Sequence, residues 1–223
     1  MSSELKPIVL YGAGHGPNPP RVQNILEELG LPYEISPVQF DEVKQPKYTK
    51  INPNGRIPAI YDPNTDLTLW ESGAIVLYLI DKYDKDHKLS FPSGSNEAQL
   101  ARQWLFFQAT GQGPYYGQAV WFTKYHHEEL PSAKERYVKE INRVTSVLEG
   151  WLAKQEVTAG SDGPWLVGGR LSYADLAFIP WQLVANIFKD AGYNIDEYPL
   201  VKNWLERMTA REAVKKTHAP LLG

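Results

Sequence analysis

Two rhythms of apolar residues divide this chain. Up to about residue 84 they fall mostly in short runs separated by turn formers, and beyond about residue 96 they recur at helical spacing. Ile8-Val-Leu-Tyr11 predicts a first strand, and a stretch rich in Gly and Pro, residues 12–20, breaks the pattern after it. Val22, Ile25, Leu26 and Leu29 then repeat at helical spacing, with Gly30 as a stop. Residues 33–38 predict a second strand, and 46–51 a short, irregular helical piece. Residues 57–61 and 67–70 read as two strands joined by the turn Asp62-Pro-Asn-Thr-Asp66. Residues 72–83 form the next expected helix, with Ile75, Leu79 and Ile80 on its apolar side.

The polar, breaker-rich segment 85–95 reads as a linker between a domain at residues 1–84 and another at 96–223. In the second, helices are expected at 96–108, at 131–154, at 173–184 and around Val201, Trp204, Leu205 and Met208. The 131–154 helix presents Tyr137, Ile141, Val144, Leu148 and Trp151 or Leu152 on one face, and Pro180 interrupts or kinks the 173–184 helix. Only Trp165-Leu-Val167 has strand character there. In the first domain the order strand–helix–strand, short helix, strand–strand–helix implies a parallel pair extended by an antiparallel hairpin. The fold class expected is an α/β thioredoxin-like N-terminal domain followed by an all-α C-terminal domain.

Composition changes the picture at a few points. With 23 Lys and Arg against 26 Asp and Glu there is no basic stripe for nucleic acid and no polybasic run for a membrane surface. No apolar run reaches the ~18 residues of a membrane helix, and Met1-Ser-Ser-Glu-Leu-Lys-Pro7 lacks the apolar core of a signal peptide. A cytoplasmic protein is expected. There is no cysteine, so disulfides, cysteine metal sites and a protein thiol nucleophile are excluded, and thiol chemistry must use a thiol carried by a ligand. No metal is expected.

Two short segments carry candidate chemistry. Ile57-Pro58 stands at the mouth of a strand, where a proline's missing N–H does no harm. With a cis bond, the backbone of Ile57 turns outward to pair with an extended peptide. Glu71-Ser72 closes the hairpin and opens a helix. A helix N-terminus with a hydroxyl suits a carboxylate, and a neighbouring carboxylate suits an ammonium, so the pair fits an α-amino acid head group. The plainer alternative is that Ser72 caps the helix and Glu71 is surface charge.

Asn-Pro-x-Gly-x-Ile-Pro at residues 52–58, followed by Glu-Ser-Gly-Ala-Ile at 71–75, resembles the glutathione site of the soluble glutathione transferases. Leu166-Val-Gly-Gly-Arg-Leu-Ser-Tyr-Ala-Asp175 resembles the helix-capping motif of that superfamily, with Ser172 as N-cap and Asp175 as its reciprocal partner. Gly16-Pro-Asn-Pro, Trp104-Leu-Phe-Phe-Gln108, Glu135-Arg-Tyr137 and Ala174-Asp-Leu-Ala-Phe-Ile-Pro-Trp181 extend the likeness to the Nu-class bacterial enzymes and to the fungal transferases related to the yeast nitrogen-catabolite regulator. The resemblance implies glutathione as co-substrate, a homodimer, and a small hydrophobic electrophile, peroxide or disulfide as second substrate. It implies that Asn18 lies near the glutathione sulfur, that Ile57, before a cis Pro58, pairs with the cysteinyl unit, and that Glu71 and Ser72 hold the γ-glutamyl end. Arg136 either reaches glutathione from the partner subunit or is an exposed helix charge.

Three positions depart from the pattern. Val43 stands where relatives carry a polar residue, so Lys44 or Gln45 takes over at the glycyl carboxylate or the contact is lost. Gly16 replaces a hydroxyl-bearing residue, and the cysteine of the glutaredoxin-like classes is absent. Tyr11 rivals Asn18 as thiol activator, or is a half-buried strand residue. His15, His126 and His127 read as solvated loop histidines. Tyr115, Tyr116, Trp121 and Phe122 either wall a pocket for a hydrophobic electrophile or pack in the core. A non-catalytic regulator of the same fold is the rival function. In the yeast regulator an Asn/Gln-rich extension precedes the fold, and none is expected where the first strand begins so near Met1.

Overall fold

The computed structural model describes residues 5–12, 16–157 and 162–218. It divides into two compact units: one runs to Ser90 and takes in the chain again from Glu212, and the other is Phe91–Arg211. No helix among the described residues is long and apolar enough to cross a membrane.

The first unit begins β1 (Ile8–Tyr11), α1 (Asn18–Leu29), β2 (Tyr33–Ser36), α2 (Pro46–Thr49), β3 (Ala59–Asp62), β4 (Leu67–Trp70) and α3 (Ser72–Tyr83). The sheet order is β2-β1-β3-β4. β1 and β2 are parallel, with Ile8 opposite Tyr33. β3 is antiparallel to β1, with Tyr11 opposite Ala59, and β4 is antiparallel to β3. The thioredoxin-like order expected from the sequence is therefore present. Strand β2 stops at Ser36, two residues short of the expected end, because Pro37 cannot donate to the ladder. Ile8 and Leu10 alternate into the core, and Val22, Ile25 and Leu26 of α1 and Ile75, Val76 and Leu79 of α3 are buried as well. Asp62 pins α3 to the hairpin, accepting from the hydroxyls of Tyr78 (2.6 Å) and Tyr83 and from the Asn64 backbone N–H (2.8 Å). Burial alone raises the Asp62 carboxyl, but the donors from Tyr78, Tyr83 and Asn64 hold it below its ordinary value.

The second unit contains α4 (Asn96–Phe107), a π-helical turn Gln108–Gln112, α5 (Gly113–Lys124), α6 (Pro131–Leu152), α7 (Tyr173–Leu176), α8 (Ile179–Ala185) and α9 (Pro199–Thr209). Its described residues hold no strand: Trp165, Leu166 and Val167 are buried coil, and the Leu166 N–H donates to Asp175 at 2.9 Å. Helix α5 is hidden in the sequence by Gly113, Pro114 and Gly117. Pro114 falls in its first turn, where a missing N–H is harmless, and a Cβ on Gly117 would stand 3.4 Å from the Trp181 ring. Pro180 does not kink a helix but opens α8 after a break that ends α7. On α6 the buried stripe is Val138, Ile141, Val144, Leu148 and Leu152, not Tyr137 or Trp151. Ser172 and Asp175 form the reciprocal capping box. Asp175 is wholly buried and accepts from the Ser172 N–H (2.9 Å), the Ser172 hydroxyl (2.8 Å), Leu166 N–H and Trp204 Nε1 (3.0 Å).

The last helix, α10 (Glu212–His218), corrects the domain boundaries. It belongs with the first unit, not with the second domain expected to run to the C-terminus. The reason lies on α1, where Arg21, Gln23, Asn24 and Glu28 are buried together with the apolar stripe. The amide of Asn24 meets His218 Nε2 at 3.1 Å and accepts from Thr217 Oγ1 at 2.5 Å, and Lys216 pairs with Glu27 at 2.8 Å. Asn24 and Glu27 of α1 thus find their partners in α10, as buried polar groups require.

Asp175→Ala strips several buried donors of one acceptor, each loss costing about 1–3 kcal/mol. It is expected to destabilise the fold by at least about 3 kcal/mol, against about 1 kcal/mol for Ser172→Ala. Urea unfolding of both variants checks this; equal, small losses would mean that Asp175 acts as a helix cap alone.

Candidate active site

The end of β1 and the start of β3 meet in a tight contact. Gly12 has φ +86, and a Cβ there would lie 2.2 Å from Ile57 Cγ2, so only glycine fits under that side chain. The Ile57–Pro58 bond is cis. No backbone hydrogen bond of Ile57 is made among the described residues. The loop before it has no regular structure yet is braced at several points. Asn52 is buried; its Nδ2 donates to Arg56 O at 2.6 Å, its Oδ1 accepts from Asn54 N–H at 3.0 Å, and its C=O accepts from Gly55 N–H at 2.9 Å. Tyr48 OH also donates to Arg56 O at 2.9 Å, and burial pushes that hydroxyl up to about 12. Lys44 Nζ donates to Asn54 O at 2.9 Å. The Asn of the Asn-Pro-x-Gly motif is a brace, a job its side chain alone performs with both ends of the amide.

The second part of the site joins two helix starts. Ser72 is the first residue of α3, and Glu71 holds the N-cap position at φ +68 with no capping bond from its side chain. The capping reading of Ser72 therefore fails: its hydroxyl accepts from Arg21 Nη1 at 2.9 Å. Asn18 is the first residue of α1, after Pro17 at the N-cap, and its Oδ1 accepts from Arg21 Nη2 at 3.3 Å. Arg21, 3% exposed, joins these two side chains, and motif reasoning missed it. Its signal in the sequence was a charge placed beside Val22 and one turn before Ile25, on the apolar stripe of α1. Burial lowers its guanidinium to about 10, with Glu71 acting the other way, so it stays charged at neutral pH. The first turn of α3, with its N–H groups, and the charge of Arg21 make this corner electropositive; in the first turn of α1, Pro19 and Pro20 have no N–H to offer.

Other candidates sort clearly. Tyr11 ends β1, half-buried, with its ring edge-on to Tyr48 at 6.5 Å. Gln45 is exposed at the N-cap of α2, and Val43 turns its C=O toward Gly55. Arg136 is exposed on α6 in the other unit, where its neighbour Glu135 pairs with Lys139. His15 lies outside the described residues. His126 Nδ1 lies 2.9 Å from Glu128 O, and its ring is 5.0 Å from that of Phe122. The aromatic group splits: Tyr116 is core, with its hydroxyl on Ile141 O (3.2 Å) and Thr145 (3.1 Å), whereas Trp121 is half exposed beside Tyr125.

Residues 6–81 match the family description "Glutathione S-transferase, N-terminal domain", and 114–212 match "Glutathione S-transferase, C-terminal domain". The chain is 65% identical to Glutathione S-transferase-like protein tpcF of Aspergillus fumigatus, over 98% of its own length and 97% of that protein's. It is 42% identical to Glutathione S-transferase 1 of Schizosaccharomyces pombe, over 93% of each. It is also similar to the solved structure of the glutathione transferase URE2P6 from Phanerochaete chrysosporium in complex with oxidized glutathione, with 47% identity, a TM-score of 0.89 and coverage of 100% and 99%. Ure2p in complex with glutathione superposes with a TM-score of 0.87 at 36% identity, covering 97% of this chain and 100% of that one.

Gly12→Ala is expected to destabilise the fold by more than the ~1 kcal/mol that a left-handed φ alone costs, because the new methyl strikes Ile57. In an Ile57→Ala background part of that loss should vanish, as coupling between touching residues demands. A double-mutant cycle in urea that gives strict additivity would mean the two do not touch.

Proposed function

The chain belongs to the glutathione S-transferase family, and from that premise we propose that it binds glutathione at the Asn18–Arg21–Ser72 corner, stabilises the thiolate and directs it at a second substrate. The observation that carries this reading is the pair of side chains at the first positions of α1 and α3, both held by one buried guanidinium. A free thiol has a pKa of about 8.5, so only a few per cent is thiolate at neutral pH. Asn18, at the positive end of α1, donates an amide N–H to the sulfur. Lowering the thiol by two units needs about 2.7 kcal/mol of preference for the thiolate. Ile57, before cis Pro58, offers its backbone to the cysteinyl unit. Ser72 takes the γ-glutamyl carboxylate and Glu71 the ammonium. Lys44 spends one of its three donors on Asn54 and offers the others to the glycyl carboxylate.

The thiolate then attacks an electrophilic carbon of a small hydrophobic molecule, a peroxide or a disulfide. Since the chain has no cysteine, disulfide reduction takes two glutathiones or a glutathione and a substrate thiol: the first thiolate displaces a thiolate from the substrate disulfide, and the second attacks the mixed disulfide and releases the remaining thiolate. We place this chemistry in the cytoplasm, whose reduced glutathione pool suits it, and in a homodimer in which Arg136 reaches the partner's glutathione. A turnover panel with an aryl halide, a hydroperoxide and a mixed disulfide tests the reading. Turnover of at least one is expected; glutathione binding with no turnover of any would favour a regulatory protein of the same fold.

Ser72→Ala and Glu71→Ala are each expected to weaken glutathione binding about ten- to a hundredfold, the worth of a charged hydrogen bond of roughly 1.5–3 kcal/mol. Glu71→Ala should change thermal stability little, because its exposed side chain caps nothing, whereas Ser72→Ala should lower it, because it strips the buried Arg21 of an acceptor. Calorimetry with unchanged affinity in both would sink the assignment.

Asn18→Ala is expected to raise the pKa of bound glutathione by a unit or more, about 1.4 kcal/mol, and Tyr11→Phe to leave it in place. Thiolate absorbance against pH reads both; the reverse pattern makes Tyr11 the activator. Sedimentation should give a dimer at micromolar concentration, and Arg136→Ala should weaken glutathione binding without changing that state.

A further inference from the structure

We propose that Arg21 is a positioning residue that sets the hydrogen-bond polarity of the whole site: by donating to Asn18 Oδ1 and Ser72 Oγ at once, it fixes the amide and the hydroxyl in the sense in which each acts toward a ligand as a donor. The inference rests on the reading that glutathione binds at this corner. A guanidinium has five N–H donors and no acceptor. The Asn18 atom that meets Nη2 must therefore be the amide oxygen, which turns Nδ2 away from the arginine. A serine hydroxyl that accepts from Nη1 keeps its own proton for another partner. One rigid fork thus selects acceptors at two places, a thiolate over a thiol at Asn18 and a carboxylate at Ser72.

The surroundings of Arg21 fit this task better than a purely structural one. Its side chain is buried, yet its Nε has no partner among the described residues. The charged group that acts on it is Glu71, whose side chain is exposed. A cation this buried, with an exposed carboxylate as its counter-charge among the described residues, is costly to keep, and an anion arriving at the two helix starts relieves it. Lysine cannot replace it, because a single ammonium on a flexible stem does not hold two acceptors in a fixed fork.

The test is the pKa of bound glutathione, with affinity and thermal unfolding, in wild type, Arg21→Lys, Asn18→Asp and Asn18→Ala. Arg21→Lys should raise the thiol pKa by about one unit, a roughly tenfold fall in the acid dissociation constant of the bound thiol, and kcat should fall more than KM rises. Asn18→Asp faces Arg21 with oxygen as before, so it should fold at least as well as wild type. It offers no donor, so its bound thiol should titrate higher than in Asn18→Ala. This variant keeps the proposal exposed even if Arg21→Lys does not fold. A wild-type thiol pKa in folded Arg21→Lys, or in Asn18→Asp, would overturn the proposal while leaving glutathione binding intact. Failure of the wild type to bind glutathione at all would instead remove the underlying reading.

Discussion

A guanidinium with almost no contact with water sits where two helices begin, and the geometry of the first unit follows from satisfying it. Removing a cation from water costs several kcal/mol even after relaxation, and breaking its partners leaves that cost unanswered. Arg21 finds oxygen acceptors at the first residue of its own helix and at the first residue of α3. The hairpin that delivers α3 must therefore end beside the start of α1. Asp62 does the same work from the other side, tying the turn and both tyrosines of α3 to the end of β3. Between these two anchors α3 has little freedom to slide along the sheet.

The backbone around Ile57, which we propose faces glutathione, is held by a different device. A loop that must leave its own peptide groups unpaired for a ligand cannot be stabilised by a ladder, so side chains brace it from behind. Asn52 and Tyr48 converge on one carbonyl, that of Arg56, and Lys44 holds the next turn. Gly12 lets β1 come up under Ile57. Groups that touch the ligand are thus few, and each stands on buried partners that fix its direction, which is what a preorganised site requires.

The parts of this arrangement that were legible in the sequence are those written as local pattern. Alternating runs gave β1, β3 and β4, helical spacing gave α1, α3 and α6, and the Ser172–Asp175 spacing announced a capping box. What stayed hidden needed partners distant in sequence. Helix α5 looks like a loop because its glycine at 117 answers to Trp181, and α10 was assigned to the wrong unit because its contacts are with α1, almost two hundred residues away. The same distance hid Arg21, since a charge on an apolar stripe makes sense only once Ser72 is known to face it. Of the two local readings of Ser72 only the plainer one fails: a hydroxyl at a helix start is a cap by default, but the cap position is taken by Glu71.

These features explain how a chain without cysteine can handle sulfur. A protein thiol would need its own activation and would be open to oxidation; an imported thiol needs only a place where the thiolate is preferred. Asn18 and Ser72 carry no titratable proton, and Arg21 keeps its charge up to about 10. The preference therefore comes from fixed donors and a permanent charge, with no protein base that must first lose a proton. Such a site stays the same across the neutral range while the ligand's sulfur ionises within it. Its selectivity lies in direction rather than in titration: amide and hydroxyl donors held outward by one buried fork favour whatever arrives already able to accept.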